Sequence, residues 1–349
     1  MKVAEVVAPG KLGLAERGRP VPGVGEVLLQ IDRVGICGSD LHYLPHAPLG
    51  GVIGHEFIGT IVEAGSGSAP WRVGDRVCTI PCIGCGLCGA CLNGDPIHCT
   101  TVRMHGSGRL EGMGGFAEYV LAGARECIRL PDGIDDRTAA LIEPLAVGLH
   151  VVERAAVGVG ERLAILGAGP IGLACLLWAR ALGIGEIVVS DPLERRRALA
   201  LRLGATLAVD PTAIAPAAAM RDRFGQEADV VIECVGIPGR LDMAADAARR
   251  GGRVILAGMV MHPETYVPMT PFMKGLKIEF VIQYALRHFE HTVRMLDQGR
   301  LDPGPMITAE IGLDDLPAMM KRLQQPNEHC KVLVAPQAPA QARANAVET

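Results

Sequence analysis

A glycine-rich turn between a short apolar strand and an apolar helix constrains the fold of this chain more than any other feature. The strand predicted at residues 163–166 runs directly into Gly-Ala-Gly-Pro-Ile-Gly, and a helix is predicted at 173–182. In this G-x-G-x-x-G pattern the first glycine allows a tight turn, the second lets a pyrophosphate approach the backbone, and the third lets helix and strand pack closely. The residues that we predict to bind a dinucleotide here are Gly167, Gly169, Pro170, Ile171 and Gly172.

An acidic residue at the end of the next predicted strand indicates which dinucleotide binds. Asp191 follows Gly172 by nineteen residues, close to the offset of roughly twenty at which a carboxylate meets the adenosine ribose. A carboxylate accepts hydrogen bonds from the ribose hydroxyls and repels a 2′-phosphate, so the sequence predicts NAD rather than NADP. Arg195 and Arg196 follow in the next helix, where they could soften this preference, although surface charge is the commoner role of such a run.

Glycine and proline content and the pattern of apolar residues divide the chain into two domains. Residues 1–147 are interrupted by glycine and proline and contain short β-rich segments, which indicates an irregular, mostly β domain. Residues 148–283 alternate apolar strands with helices, which is typical of an α/β, doubly wound parallel sheet of the Rossmann type. Its six strands are predicted at 163–166, 187–190, 207–210, 230–233, 254–257 and 278–282. Residues 284–349 are assigned to the first domain, and their tail is predicted to be disordered.

Composition excludes several classes of partner. The chain has 349 residues, a net charge of −4 and no basic cluster longer than the three arginines at 195–197. Neither a nucleic acid nor an anionic membrane surface is therefore implied. The longest apolar stretch, residues 171–179, is too short to span a bilayer. The N-terminus lacks the features of a signal peptide, and together with eleven cysteines this predicts a reducing, cytoplasmic location.

Four cysteines in a glycine-rich segment predict a metal site. They are spaced C-x2-C-x2-C-x7-C and comprise Cys85, Cys88, Cys91 and Cys99. Four thiolates at short spacing typically hold a structural zinc ion. A disulfide knot is disfavoured because the cysteine count is odd, and a ferredoxin run would place its fourth cysteine closer and follow it with proline. The pattern thus predicts a structural zinc lobe at about 82–99, and it does not indicate which reaction the protein catalyses.

A second and less conspicuous group of residues predicts a catalytic zinc site. Taken alone, Cys37 and His55 would be ordinary core residues. A catalytic zinc needs about three protein ligands and an open position, and a thiolate, an imidazole and a carboxylate form a plausible set. Glu56 follows His55 directly, and Glu143 offers another carboxylate within an apolar stretch. A buried acid without a nearby partner is costly and usually has a function.

Taken in this order, the motifs resemble those of the zinc-dependent medium-chain dehydrogenase/reductase family over nearly the whole chain. The segment Glu-Pro-Leu-Ala-Val-Gly-Leu-His at 143–150 resembles the polyol branch, which includes sorbitol, butanediol and threonine dehydrogenases. The resemblance implies a GroES-like catalytic domain, NAD, and two zinc ions per chain, one catalytic and one structural. It also implies a homo-oligomer, with a tetramer favoured over a dimer. Cys37 and His55 would bind the catalytic zinc, while Glu56 and Glu143 share or alternate in the remaining coordination.

The same resemblance assigns roles in the chemistry. Ser39 would hydrogen-bond the substrate hydroxyl, His42 would carry its proton outward, and Asp40 would orient the ligands. Zinc lowers the pKa of an alcohol that it binds, so hydride transfer to nicotinamide becomes possible near neutral pH. The predicted reaction is the reversible oxidation of a secondary alcohol, vicinal diol or polyol to a ketone. The alternatives are an NADP-linked carbonyl reductase of the same fold and a catalytically silent NAD-binding redox sensor.

Three further residues are predicted to line the substrate pocket, namely Tyr43, Phe116 and Gln283. Gln283 occupies the position at which sorbitol dehydrogenases carry an arginine that binds the polyol, so the resemblance argues against sorbitol itself. The loop at 44–52 is short and apolar for this family. We therefore expect a substrate with apolar substituents.

Overall fold

The computed structural model describes residues 1–106, 114–325 and 327–337. The tail that was predicted to be disordered lies almost entirely outside these residues. The chain forms two units. The first unit comprises Met1–Glu143, Tyr284–Gln298 and Ile307–Thr349, and the second comprises Pro144–Gln283 and Gly299–Met306.

These limits differ from the predicted domains in two places. The first boundary follows residue 143 instead of residue 147, and both positions lie within one continuous helix, Ile142–Ala155. A change in composition within a helix does not show at which residue the chain passes from one unit to the other. Residues 299–306, which were predicted to belong to the first domain, group with the second unit.

Strands and helices are numbered here in chain order. The strands are β1 (Lys2–Ala8), β2 (Lys11–Glu16), β3 (Glu26–Gly35), β4 (Glu56–Ala64), β5 (Arg76–Thr79), β6 (Cys82–Ile83), β7 (Arg103–Met104), β8 (Tyr119–Gly123), β9 (Cys127–Arg129), β10 (Arg162–Leu166), β11 (Glu186–Ser190), β12 (Leu207–Val209), β13 (Ala228–Glu233), β14 (Ala248–Leu256), β15 (Lys277–Phe280), β16 (Ile307–Gly312) and β17 (Lys331–Ala335). The helices are α1 (Gly38–Tyr43), α2 (Gly89–Leu92), α3 (Asp136–Ala139), α4 (Ile142–Ala155), α5 (Pro170–Ala181), α6 (Glu194–Arg202), α7 (Pro216–Phe224), α8 (Arg240–Ala247), α9 (Met269–Lys274), α10 (Leu286–Asp297) and α11 (Leu316–Leu323).

The first unit is built on a seven-stranded sheet. Its order is β16-β17-β3-β4-β5-β9, and β8 also pairs with β3. Gly35 at the end of β3 pairs with Glu56 at the start of β4 and with Leu333 of β17. The end of β3 and the starts of β4 and β17 therefore lie side by side, and this is where the predicted zinc ligands are found.

The second unit contains a parallel sheet of six strands in the order β12-β11-β10-β13-β14-β15. This is the order of a complete dinucleotide-binding fold, and it confirms the predicted fold class. All six residues of β13 are buried, as expected of a parallel strand that is covered on both faces. The largest error was in β14, which begins at Ala248 and not at 254. Its Arg-Arg-Gly-Gly stretch has no strand-like hydrophobic pattern, and it lies where the register with β13 is irregular, between the pairs Ala228–Ala248 and Val230–Arg253.

Within the described part of the chain, no helix combines the length and the apolar character that crossing a membrane requires.

Candidate active site

Three of the predicted zinc ligands converge at one edge of the first unit's sheet. Cys37 caps the N-terminus of α1 directly after β3, His55 precedes β4, and Glu56 is the first residue of β4. One donor atom from each residue lies within 4.8 Å of the other two. A thiolate, an imidazole and a carboxylate so arranged suit a zinc ion with an open position. The donor set thus fits the metal predicted from the sequence.

Asp40 holds both Cys37 and His55 in place. Its Oδ1 lies 3.3 Å from His55 Nδ1, and its Oδ2 accepts a hydrogen bond of 3.0 Å from the Cys37 backbone N–H. The carboxyl is buried, with 2% of its surface exposed. Burial lowers the pKa of His55, but the Asp40 carboxylate outweighs this effect and raises that pKa well above its ordinary value. With Nδ1 engaged by Asp40, Nε2 remains as the nitrogen available to a metal ion.

Glu143 does not belong to this group of mutually close donors. It lies in the first turn of α4, is buried, and accepts a hydrogen bond from the Tyr284 hydroxyl. Burial raises the pKa of Glu143 to about 7, and the nearby Glu56 adds to this effect, whereas His55 and the Tyr284 hydrogen bond oppose it. The Glu143 carboxyl can therefore exist in either protonation state near neutral pH.

Lys331 is a member of the site that sequence reasoning missed. Its Nζ donates hydrogen bonds to Glu56 Oε1 at 2.7 Å, to Glu56 Oε2 at 2.6 Å and to the Ile36 carbonyl at 3.1 Å. None of its surface is exposed. Burial lowers the pKa of Lys331, but the Glu56 charge more than compensates, so this pKa is raised and the ammonium form is favoured. The sequence showed only a lysine at the start of an apolar strand, and such a lysine is normally solvated.

Ser39 and His42 lie three residues apart on α1 and hence on the same face of the helix. Ser39 is half-buried near the Cys37 end, whereas His42 is exposed. The helix therefore carries a hydroxyl near the candidate metal site and an imidazole at the surface.

The four clustered cysteines form a second convergent group in the first unit. The sulfur atoms of Cys85, Cys88, Cys91 and Cys99 lie within 4.8 Å of one another. Cys99 Sγ accepts backbone N–H bonds from Cys85 at 3.3 Å and from Thr101 at 3.4 Å. These bonds lower the pKa of Cys99 to about 6, which favours the thiolate that a metal requires. This geometry suits a closed tetrahedral zinc site.

The glycine motif of the second unit has the conformation that its sequence predicts. Gly167 has a φ of +97°, which favours glycine. A Cβ at Gly172 would lie 1.9 Å from the Gly167 carbonyl oxygen, so this position tolerates no side chain. Gly169 caps α5, Pro170 is its first residue, and Ile171 follows it half-buried. The free N–H groups at the start of α5 form a site suited to phosphate.

Asp191 connects this loop to the end of β11. Its Oδ2 accepts a hydrogen bond of 3.0 Å from the Ala168 N–H, and its Oδ1 accepts one of 2.9 Å from the Leu193 N–H. Arg196 Nη1 lies 3.7 Å from Asp191 Oδ2. The acid and its arginine neighbour thus form a pair, which reduces the negative charge that a cofactor would meet.

The three predicted pocket residues lie in different surroundings. Phe116 has no exposed surface and belongs to the hydrophobic core of the first unit. A Cβ at Gly54 would lie 2.8 Å from the Phe116 ring, which shows that the ring supports the backbone just before His55. Tyr43 is half-buried at the margin of the same core. Gln283 is half-buried in the second unit and has a φ of +67°, which is strained for a residue other than glycine.

Comparisons with known proteins show the family to which the chain belongs. The family described as "Alcohol dehydrogenase GroES-like domain" matches residues 23–132, and "Zinc-binding dehydrogenase" matches residues 170–298. A sorbitol dehydrogenase of Bacillus subtilis (strain 168) is 33% identical over 333 residues, which cover 91% of this chain and 92% of that protein.

Solved structures give the same result. An alcohol dehydrogenase from Escherichia coli CFT073, complexed with NADH, is 28% identical with a TM-score of 0.87 and covers 96% of this chain and 99% of its own. A putative zinc-binding dehydrogenase from Sinorhizobium meliloti 1021, bound to NADP, is 31% identical with the same TM-score and coverage.

The fold, the two metal-type clusters and these matches define a zinc-type alcohol dehydrogenase. The chain belongs to the zinc-dependent medium-chain dehydrogenase/reductase family. Within that family it is polyol dehydrogenase-like. The predicted family and the prediction of an enzyme are therefore confirmed.

Proposed function

We propose that the protein catalyses the NAD-linked, reversible oxidation of a secondary alcohol or vicinal diol to a ketone. The observation that carries this proposal is the convergence of Cys37, His55 and Glu56, with Asp40 bonded to the first two. These three ligands would hold the catalytic zinc, and Glu143 would serve as an alternative carboxylate. When bound, zinc supplies Lewis-acid polarisation of the substrate oxygen and lowers the pKa of the substrate hydroxyl.

Two side chains of α1, Ser39 and His42, would then transfer the proton of the substrate hydroxyl to solvent. The half-buried Ser39 hydroxyl would accept a hydrogen bond from a substrate hydroxyl near the Cys37 end of α1. The exposed His42 imidazole, on the same helix face, can release a proton to solvent. In the second unit, the N-terminus of α5 and Asp191 would hold the dinucleotide.

The substrate class is supported by the relatives and by two residues. Proteins that resemble this chain include a sorbitol dehydrogenase and a 2R,3R-butanediol dehydrogenase of Bacillus subtilis. The sequence has the uncharged Gln283 where the resemblance leads one to expect the arginine of sorbitol dehydrogenases, and Tyr43 offers an aromatic surface next to His42 on α1. We therefore favour a small alcohol or diol with apolar substituents. We also propose a reducing, cytoplasmic location, because four of the cysteines are grouped as metal ligands and not as disulfide partners.

Metal analysis combined with an alcohol panel tests the proposal. We expect two zinc ions per chain, one at the Cys37, His55 and Glu56 group and one at the four clustered cysteines, and NADH formation with secondary alcohols or vicinal diols. A protein with one zinc per chain and no turnover across primary, secondary and vicinal substrates would refute it. If aldehydes are reduced with NADPH faster than any alcohol of the panel is oxidised with NAD, the result would favour the carbonyl reductase alternative.

Replacement of Asp191 is expected to erode the preference for NAD over NADP. Asp191→Ala removes the acceptor for the ribose hydroxyls and the carboxylate that lies beside Arg196, so the arginine charge would favour a 2′-phosphate. Because a hydrogen bond to a charged group contributes about 1.5–3 kcal/mol, the ratio of kcat/KM values should shift toward NADP by about tenfold or more. The measurement compares both cofactors with one substrate. Asp191→Asn retains an acceptor and should shift less, and the exposed Asp222→Ala in the same unit should leave the ratio unchanged.

We also propose that the second unit associates with a second copy of the chain, which fits the tetramer or dimer that the family resemblance implies. β15 forms one edge of the parallel sheet, and Phe272, Phe280 and Ile282 near it are largely exposed. An edge strand beside exposed apolar side chains favours pairing with another chain. Light scattering should therefore report an oligomer that Phe280→Glu dissociates into smaller species. A monomeric wild-type protein would contradict this proposal.

A further inference from the structure

Lys331 links the two backbone segments that carry the predicted zinc ligands. Its carbonyl partner, Ile36, directly precedes Cys37, and its carboxylate partner, Glu56, directly follows His55. The three N–H donors of the ammonium group are all used by these partners. A fully buried cation is tolerated only where it is paired and hydrogen-bonded in this way. Lys331 therefore acts on the site through Glu56 and the backbone, not through substrate.

The Glu56 carboxylate occupies a space that only a glycine neighbour leaves open. A Cβ at Gly35, which is paired with Glu56 across β3 and β4, would lie 2.1 Å from Glu56 Oε2. The carboxylate is thus confined between the Gly35 backbone and the Lys331 ammonium group. From this position one Glu56 oxygen is still within 4.8 Å of the Cys37 and His55 donor atoms.

The Lys331 ammonium group donates hydrogen bonds to both oxygens of Glu56. A metal ion held by Cys37 and His55 would attract one of the same oxygens, so the ammonium group and the metal ion would compete for the Glu56 carboxylate. We propose that Lys331 is a positioning residue that competes with the metal ion for Glu56 and so keeps Glu56 a weak, exchangeable ligand. This inference rests on the proposed function, since it takes Cys37 and His55 to be metal ligands.

Another lysine in the chain shows what a purely structural role looks like. Lys274 Nζ donates to three backbone carbonyls, those of Ala245, Asp246 and Ala248, at 2.7 to 3.0 Å. No side-chain carboxylate is among these partners. Lys274 thus stabilises local backbone, and its replacement provides a matched control for the loss of a hydrogen-bonded lysine.

The test measures zinc affinity and not only turnover. Lys331→Met removes the competing charge while keeping an unbranched apolar stem, and Lys331→Gln removes the charge but retains a donor. Because the loss of a nearby positive charge strengthens the attraction of the site for a divalent ion, we expect zinc to bind at least about tenfold more tightly in both variants. Affinity is measured by competition with a chelator. The visible spectrum of the cobalt-substituted enzyme should change because the ligand set becomes fixed, and kcat should fall.

A thermodynamic cycle with Glu56→Gln identifies the residue through which Lys331 acts. In the Glu56→Gln background, which lacks the contested carboxylate, Lys331→Met should change zinc affinity by no more than about twofold. Lys274→Met should lower the Tm without changing zinc affinity. If Lys331→Met is unfolded without metal because Glu56 is left unpaired, added zinc should restore its folding.

Three outcomes would overturn the inference. The first is an unchanged or weaker zinc affinity in both Lys331 variants. The second is an equal loss of Tm with and without zinc, since a purely structural lysine would behave in that way. The third is failure of both variants to fold even with zinc. Each of these is distinct from failure of the proposed function, in which the wild-type chain itself would hold no zinc at Cys37 and His55.

Discussion

Cys37→Ala is expected to abolish turnover while leaving the fold and one zinc ion in place. Cys37 supplies the only sulfur donor in the group formed with His55 and Glu56, so its loss leaves two ligands for the metal, His55 and one carboxylate, either Glu56 or the alternative Glu143. Two ligands do not hold zinc firmly at a site that must also accept substrate. Because Lewis-acid polarisation contributes several kcal/mol to such a reaction, kcat/KM should fall by at least about a thousandfold. The zinc content should fall from two ions per chain to one.

A second cysteine provides the matched control for this variant. Cys78 is a buried free thiol on β5 of the same sheet and lies outside both clusters. Cys78→Ala should lower the Tm slightly, because a small cavity forms, and should retain two zinc ions and full turnover. Retention of both metals or of substantial turnover in Cys37→Ala would show that the working metal site lies elsewhere.

The sequence predicted those parts of the protein that depend on local pattern. The glycine turn, the six strands of the parallel sheet and the group of four cysteines all follow from patterns within short segments. Each short motif reports its own backbone geometry, such as the positive φ of Gly167. Asp40 could also be placed, since it lies three residues from Cys37 and shares its turn.

The parts that could not be predicted depend on contacts between distant residues. Lys331 and Glu56 are separated by 275 positions, and Tyr284 and Glu143 by 141. No residue near Lys331 in the sequence indicates that its ammonium group pairs with the Glu56 carboxylate on another strand. The complete burial of Phe116 could not be predicted either, because a motif next to a site does not reveal which face of the backbone its ring occupies. The distinction between lining a pocket and supporting it requires burial, which only the fold determines.

The last prediction concerns the four clustered cysteines, where replacement of one ligand should lower the Tm while the turnover of the folded protein is retained. The segment at 82–99 has little regular structure, consisting of the two-residue strand β6, the four-residue helix α2 and a single 3-10 turn. Leu87 and Leu92 within it are largely exposed, so the segment has little apolar core of its own. Its shape therefore depends on the metal, and structural zinc sites contribute folding energy directly.

Cys88→Ser should therefore lower the Tm markedly, reduce the zinc content from two ions to one, and make the segment sensitive to proteolysis. The control is Cys82→Ala, since Cys82 lies just before the cluster but outside the group of four. The turnover of the folded fraction should stay within about twofold of wild type, because Cys37, His55 and Glu56 lie on other elements and are held by Asp40 and Lys331 and not by this segment. A stable, fully assembled Cys88→Ser protein that has lost turnover would contradict this division of roles and would assign the clustered zinc to the chemistry.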